Sequence, residues 1–204
     1  MANALFASSP PSSDHSLIPT RKTSRANSTL GFLRRPSREG TTLTISHVSP
    51  LVHVPFMNEA IVEARTSLAE GGIPIGCVLV RNSQVIARGH NHRVQRNSVI
   101  LHAELDCLES GGRRTAAFYR ECTLYVTSSP CEMCLGAVRF YGIPRIVIGE
   151  NQNYQGDEQF LRTGHIQVDI LDSKECQQIL GDYLKTNSII WNEYLGKDEI
   201  SNEI

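Results

Sequence analysis

Hydrophobic positions first fall into a helical rhythm after Pro55, where Met57, Ile61, Ala64 and Leu68 recur at steps of three and four. That spacing marks one face of an α-helix, and Gly71-Gly72 close it. Two short apolar runs follow, 77–80 and 85–88, joined by the polar "RNSQ". Runs of this length around a polar tetrapeptide predict an antiparallel hairpin. The polar stretch "GHNHRVQRNS" then leads to a helix over 102–110, ended by Gly111-Gly112. "CTLYVTS" (122–128), rich in β-branched and aromatic residues, predicts a buried strand. Pro130 opens a second helix over 131–141, and "RIVIGE" (145–150) is another strand. After the polar loop 151–159 come a last strand, 166–171, a helix for which Ser173 is the N-cap, and a short helix around Trp191.

Strands alternating with helices behind an opening hairpin predict an α/β fold, a three-layer α/β/α sandwich with a five-stranded mixed sheet. One domain is expected over 53–200, followed by a tail at 201–204. With 40% hydrophobic residues in 204, the chain can bury one core and still carry extra material. No apolar run approaches the ~18 residues of a membrane helix, so a soluble protein with no membrane partner is expected.

The extra material is at the front. Residues 1–50 hold five Pro and sixteen Ser/Thr, too little apolar periodicity for a core. This predicts a disordered extension over 1–52. The segment has six basic residues against two acidic, the balance of a transit peptide, although its prolines interrupt any continuous amphipathic helix. Residues 51–204 keep 14 basic and 19 acidic side chains, a net charge near −5, which argues against a nucleic-acid-binding surface. Six cysteines without a secretory signal favour metal or catalytic use in a reducing compartment, so a cytoplasmic protein is expected, with mitochondrial targeting by the extension as the rival.

Cys131 and Cys134 stand three apart at a helix start, which puts both sulfurs on one face about a turn apart. The partial positive charge of the helix N-terminus favours thiolate there. His102 opens the other helix, so the two helix tips can present three ligands to one Zn2+. Three is informative, because structural zinc sites close with four protein ligands while catalytic sites keep a position for water. Glu104 lies two residues past His102, about 200° around an ideal helix. At the very tip both side chains can still reach a site beyond it, where a carboxylate can move protons. Cys-x-x-Cys alone is equally a redox pair, and a single His-x-Glu arises by chance. The combination of His-x-Glu with Pro-Cys-x-x-Cys is the pattern of zinc nucleobase deaminases.

The stretches "GGIPIG", "GHN", "LHAE", "SSPCEMCLGA" and "YGIPRIVIGEN", with the late Trp191, resemble the fungal cytosine deaminases of the cytidine-deaminase-like superfamily, over nearly all of 55–200. The resemblance implies one catalytic Zn2+ per chain on His102, Cys131 and Cys134, with Glu104 as proton shuttle. It implies that Asn91 bonds the pyrimidine edge, that Ile75, Tyr154 and Trp191 cover the ring, and that the small-molecule substrate is cytosine, converted to uracil and ammonia in pyrimidine salvage. A homodimer with "CLGAVRFYG" near its interface is also implied.

Three positions depart from that pattern. Val94 stands where an aromatic is expected and Tyr154 replaces a phenylalanine. Tyr194 replaces the aspartate that receives the substrate amino group, which leaves the adjacent Glu193 as its substitute. The alternatives are therefore a tRNA adenosine deaminase subunit, a guanine or nucleoside deaminase, and a zinc-stabilised binding protein with a degenerate pocket. Cys77, Cys107, Cys122 and Cys176 are expected as core fillers, His90 at the pocket rim, and His92 and His165 as solvated loop residues.

Overall fold

The computed structural model describes residues 50–197. The expected extension lies outside the described residues except for Pro50–Val52, a short 3-10 turn, and so does the tail at 201–204. Helix α1 (Val54–Ala69) carries Pro55 in its first turn and buries Met57, Ala60, Ile61 and Ala64. Leu68, expected on that face, is 44% exposed, and Ser67 is buried in its place.

Strands β1 (Gly76–Arg81) and β2 (Gln84–His90) form the antiparallel hairpin. Asn82 and Ser83 both take positive φ at its tip, as a turn matching the strands' twist requires. There follow α2 (Ala103–Ser110), α3 (Ala116–Tyr119), β3 (Cys122–Ser128), α4 (Glu132–Tyr141), β4 (Arg145–Glu150), α5 (Glu158–Thr163), β5 (Gln167–Ile170), α6 (Lys174–Leu184) and α7 (Ser188–Tyr194). The sheet order is β2-β1-β3-β4-β5. β1 runs antiparallel to β2 and β3, while β3, β4 and β5 are parallel. This is the five-stranded mixed sheet the hydrophobic pattern predicts.

Two short helices were not legible. α3 and α5 hold only four and six residues, too few for a period to show. Each is nevertheless started by a local cap, Thr115 accepting from Phe118 N and Asp157 from Phe160 N. Ser173 caps α6 as expected, accepting from Cys176 N.

Alternation along β1 builds the layers. Val78 and Val80 pack with Met57, Ala60 and Ile61 of α1 and Cys176 of α6. Cys77 and Leu79 face the opposite, larger core, where α2 contributes Ala103, Cys107 and Leu108, α4 contributes Leu135 and Val138, and α7 contributes Trp191. Helices therefore cover both faces. Gly89 fixes α2 closely on the sheet: a Cβ there would lie 2.2 Å from Cys107 N, so any side chain would push the helix away. Cys77, Cys107, Cys122 and Cys176 are all buried free thiols, and no helix of the described residues is long and apolar enough to cross a membrane.

Candidate active site

His102 and Cys131 are the N-cap residues of α2 and α4, both in extended backbone, and neither side chain caps its own helix. Imidazole and thiol are thereby free to meet beyond the helix tips, where unpaired backbone N–H groups favour negative charge. Cys134 follows in the first turn of α4. Its Sγ lies 3.7 Å from Cys131 Sγ, and His102 Nδ1 stands 3.4 Å from Cys131 Sγ and 3.7 Å from Cys134 Sγ. A tetrahedral zinc with bonds of about 2.0 Å to nitrogen and 2.3 Å to sulfur spans edges of roughly 3.5–3.8 Å. The three donors fit that ion as they stand. The Cys134 thiol beside it, and next the His102 ring, hold Cys131 down to about 4, against the opposing effect of burial. Cys134 is pushed up by sharing that proton and by burial.

Glu104, in the first turn of α2, is 2% exposed, and its Oε2 is buried with no hydrogen-bond partner. Burial, then the Cys131 charge, push its carboxyl up to about 7. The helix start does bring His102 and Glu104 to one place despite their angular separation. Asn91 is wholly buried; its Oδ1 accepts from Arg93 N at 3.0 Å, while its Nδ2 is buried and unpartnered. Buried polar groups are rarely left so. His92 N donates to Leu101 O at 2.9 Å, which lays this strand end alongside the start of α2. Ile75 joins the same core, 4% exposed.

The cover comes from α7 and the loop after β4. Trp191 meets Tyr154 edge-on, with ring centroids 6.0 Å apart, and lies flat against Tyr194 at 4.9 Å. Tyr194 in turn stacks on the His102 ring at 4.6 Å and brings its hydroxyl within 3.2 Å of His102 Nδ1. An opening of about 340 Å³ beside Cys131 is lined by Glu132, Met133, Tyr154, Tyr194 and Leu195. Buried Glu150 shapes the Tyr154 loop, accepting from Ser128 Oγ, Gln152 N, Asn153 N and Asn153 Nδ2.

Two expectations need correction. Glu193 does not enter the site: its side chain is 71% exposed and pairs with Arg93 at 3.1 Å. Successive helical residues point about 100° apart, so with Trp191 and Tyr194 facing inward at i and i+3, Glu193 faces out. That spacing was the available signal for Tyr194, which sequence reasoning treated only as a missing aspartate. His92 is no solvated loop residue either, being 7% exposed; His165 is exposed as expected, and Val94 is 41% exposed.

Residues 52–150 match the family model described as the cytidine and deoxycytidylate deaminase zinc-binding region. The chain is 42% identical over 139 residues to a cytosine deaminase of Candida albicans, covering 68% of this chain and 93% of that protein. It is 41% identical over 103 residues to a tRNA-specific adenosine deaminase of Streptococcus pyogenes, covering 50% of this chain and 65% of that one. Among solved structures, one from a study of tRNA:A34 deaminases superposes with a TM-score of 0.52 at 32% identity, over 62% of this chain and 99% of that one.

Proposed function

We propose a reaction for this protein from one premise: the chain belongs to the family of zinc-binding cytidine and deoxycytidylate deaminases. It is a zinc-dependent hydrolase of carbon–nitrogen bonds. The reading best supported is hydrolytic deamination of a free nucleobase, cytosine to uracil with release of ammonia. The observation that carries it is Glu104, a fully enclosed carboxyl with an unpartnered oxygen beside three donors spaced for one tetrahedral ion. A structural zinc site, closed by four protein ligands, has no use for such an acid.

His102, Cys131 and Cys134 would hold the ion. When bound, zinc lowers the pKa of water to about 7 and makes hydroxide available at neutral pH. Glu104 accepts the proton released by that water and delivers it to ring nitrogen N3 as oxygen bonds to C4. A second transfer through the same carboxyl goes to the exocyclic amine; the C4–N bond breaks, ammonia departs, and the water oxygen remains as the uracil carbonyl. Asn91 Nδ2 holds the base edge, and Ile75, Tyr154 and Trp191 pack against the ring and exclude water. Tyr194, whose hydroxyl stands 3.2 Å from His102 Nδ1, would have to release that nitrogen to a bound ion, which ties the position of α7 to metal loading.

A tRNA adenosine deaminase is the second reading, favoured by the 41% and 32% identities. Two observations support the free base over RNA. The Candida match runs over 139 residues against 103, and the net charge of 51–204 near −5 offers little attraction to phosphates. A homodimer belongs to the same proposal, supported by Phe140, 84% exposed on α4 beside partly exposed Tyr141 and Met133. A reducing, cytoplasmic setting also belongs to it, supported by the unpaired, buried Cys77, Cys107, Cys122 and Cys176, and pyrimidine salvage follows from the cytosine reading. Ammonia release should be measured from cytosine, 5-methylcytosine, cytidine, guanine, adenine and a tRNA anticodon stem-loop. Turnover of cytosine is expected. Turnover of the stem-loop alone would establish the second reading, and zinc-loaded protein inert on all six would overturn both.

A further inference from the structure

A second histidine cluster, which the deamination reading does not use, lies at the end of β2. His90 and His92 flank Asn91, and their ring centroids are 4.1 Å apart. Each ring is anchored through one nitrogen by a carboxylate. His90 Nδ1 is 3.2 Å from Glu63 Oε2, and His92 Nε2 is 3.4 Å from Asp106 Oδ2. That leaves the opposite nitrogens. His90 Nε2 stands 3.0 Å from Glu70 Oε2, while His92 Nδ1 is buried without a partner. One donor atom from each of Glu70, His90 and His92 lies within 4.8 Å of the other two.

A carboxylate behind an imidazole fixes the ring and raises the basicity of the free nitrogen, which is how proteins commonly hold a metal-bound histidine. Gln95 strengthens the pattern. Its Nε2 lies 3.4 Å from Glu70 Oε2, and its Oε1 is buried and unpartnered. With the His92 proton on Nε2, facing the Asp106 carboxylate, Nδ1 is an acceptor, and two orphaned buried acceptors belong to one small group of side chains. An ion-pair network linking α1 and α2 to the end of β2 accounts for Glu63, Glu70 and Asp106, but it leaves both orphans unused at roughly 1–3 kcal/mol each. A cation uses them.

We propose that Glu70, His90 and His92 form a second divalent-metal site, separate from the thiolate cluster, with Gln95 Oε1 as a further oxygen donor. Two imidazoles with oxygen ligands suit zinc, cobalt, nickel or copper rather than magnesium or calcium. The site clamps the C-terminal end of α1 to the strand end that bears Asn91. It stands independently of which base is deaminated, or whether any is.

Cobalt(II) titration of the metal-free full-length protein separates the two sites, because thiolate ligands give an intense sulfur-to-metal charge-transfer band and nitrogen and oxygen ligands do not. Two equivalents are expected to bind, one with that band and one with d–d absorption only. Glu70→Gln, at the exposed end of α1, should weaken the second equivalent at least tenfold and leave the charge-transfer band intact. Asp106→Asn should weaken it about 10–100-fold through the lost anchor. Cys131→Ser with Cys134→Ser should abolish the band and keep the other equivalent. A wild-type chain that binds one equivalent only, or a second equivalent equally tight in Glu70→Gln and Asp106→Asn, overturns the proposal.

Discussion

The site has a floor and a cover, and the two are built on different principles. The floor is His102, Cys131, Cys134 and Glu104, delivered by the first turns of two helices seated on the central sheet. Its donors stand 3.4–3.7 Å apart, and Ala103, Cys107 and Leu135 just behind them are buried completely or nearly so. The cover is α7, seven residues near the end of the described chain. It is held by the Tyr154–Trp191–Tyr194 stack and by Arg93 from the neighbouring loop. The lesson is a division of labour: core packing fixes the donors, and a lightly attached helix lies over them.

The largest expected effect removes the floor. Cys134→Ala should abolish zinc binding at this site and all turnover, and the apparent Tm of zinc-supplemented protein should lose the part of its rise that the thiolate site contributes, since binding to the folded state is folding free energy. Metal analysis with a thermal melt checks it. A variant that keeps zinc and activity would mean the metal is held elsewhere.

Glu104→Gln separates metal binding from proton transfer. Zinc should stay bound while turnover falls about 10²–10⁴-fold, the usual contribution of a positioned acid–base group. The same variant carries a pH signature in the metal-free protein. A carboxyl whose folded pKa sits at about 7, above its ordinary 4.5, costs the folded state stability as pH rises through that window. Glu104→Gln should therefore stabilise the metal-free chain more at pH 8 than at pH 5, by at most about 3 kcal/mol. Denaturant melts at the two pH values measure it, and an equal gain at both contradicts the burial argument.

Tyr194→Phe tests how floor and cover meet. The hydroxyl and a metal compete for the lone pair of His102 Nδ1, and a hydrogen bond of this kind is worth about 1 kcal/mol. Zinc affinity, read by competition with a chromophoric chelator, should rise about fivefold. Unchanged or weaker binding would show that Tyr194 does not compete.

The floor was legible in sequence for a physical reason. Ligand spacing in a first helical turn is set by local geometry, and His102, Cys131 and Cys134 announce themselves through the proline, the strand before them and the Gly pair after α2. The five strands were legible for the same reason, each being a dense apolar run. The cover was not, because it depends on which way a seven-residue helix is rolled. Reading position by position placed Glu193 in the site, whereas burial of Trp191 fixes the roll and brings Tyr194 inward. His92 was misread similarly: among the polar letters of 89–98 nothing local reveals that Asp106, from a later helix, closes over it.

The smallest effects separate roll from charge within the cover. Arg93 is 14% exposed in its side chain, donates to Tyr194 O at 3.3 Å and lies 5.6 Å from the Tyr194 ring centre; among the described residues the Glu193 side chain bonds only Arg93, through an exposed pair. Such pairs contribute at most about 0.5–1 kcal/mol, so Glu193→Ala should leave stability within about 0.5 kcal/mol and turnover unchanged. Arg93→Ala should cost about 1 kcal/mol, because it removes a backbone tie and a cation–π contact as well. Trp191 is the single tryptophan, so its fluorescence reports the cover directly. It should shift to the red in Arg93→Ala as α7 loosens, and stay put in Glu193→Ala. If Glu193→Ala instead reduced turnover at constant Trp191 emission, the outward carboxylate would be acting on the substrate, and the roll of α7 described above would be wrong in the working enzyme.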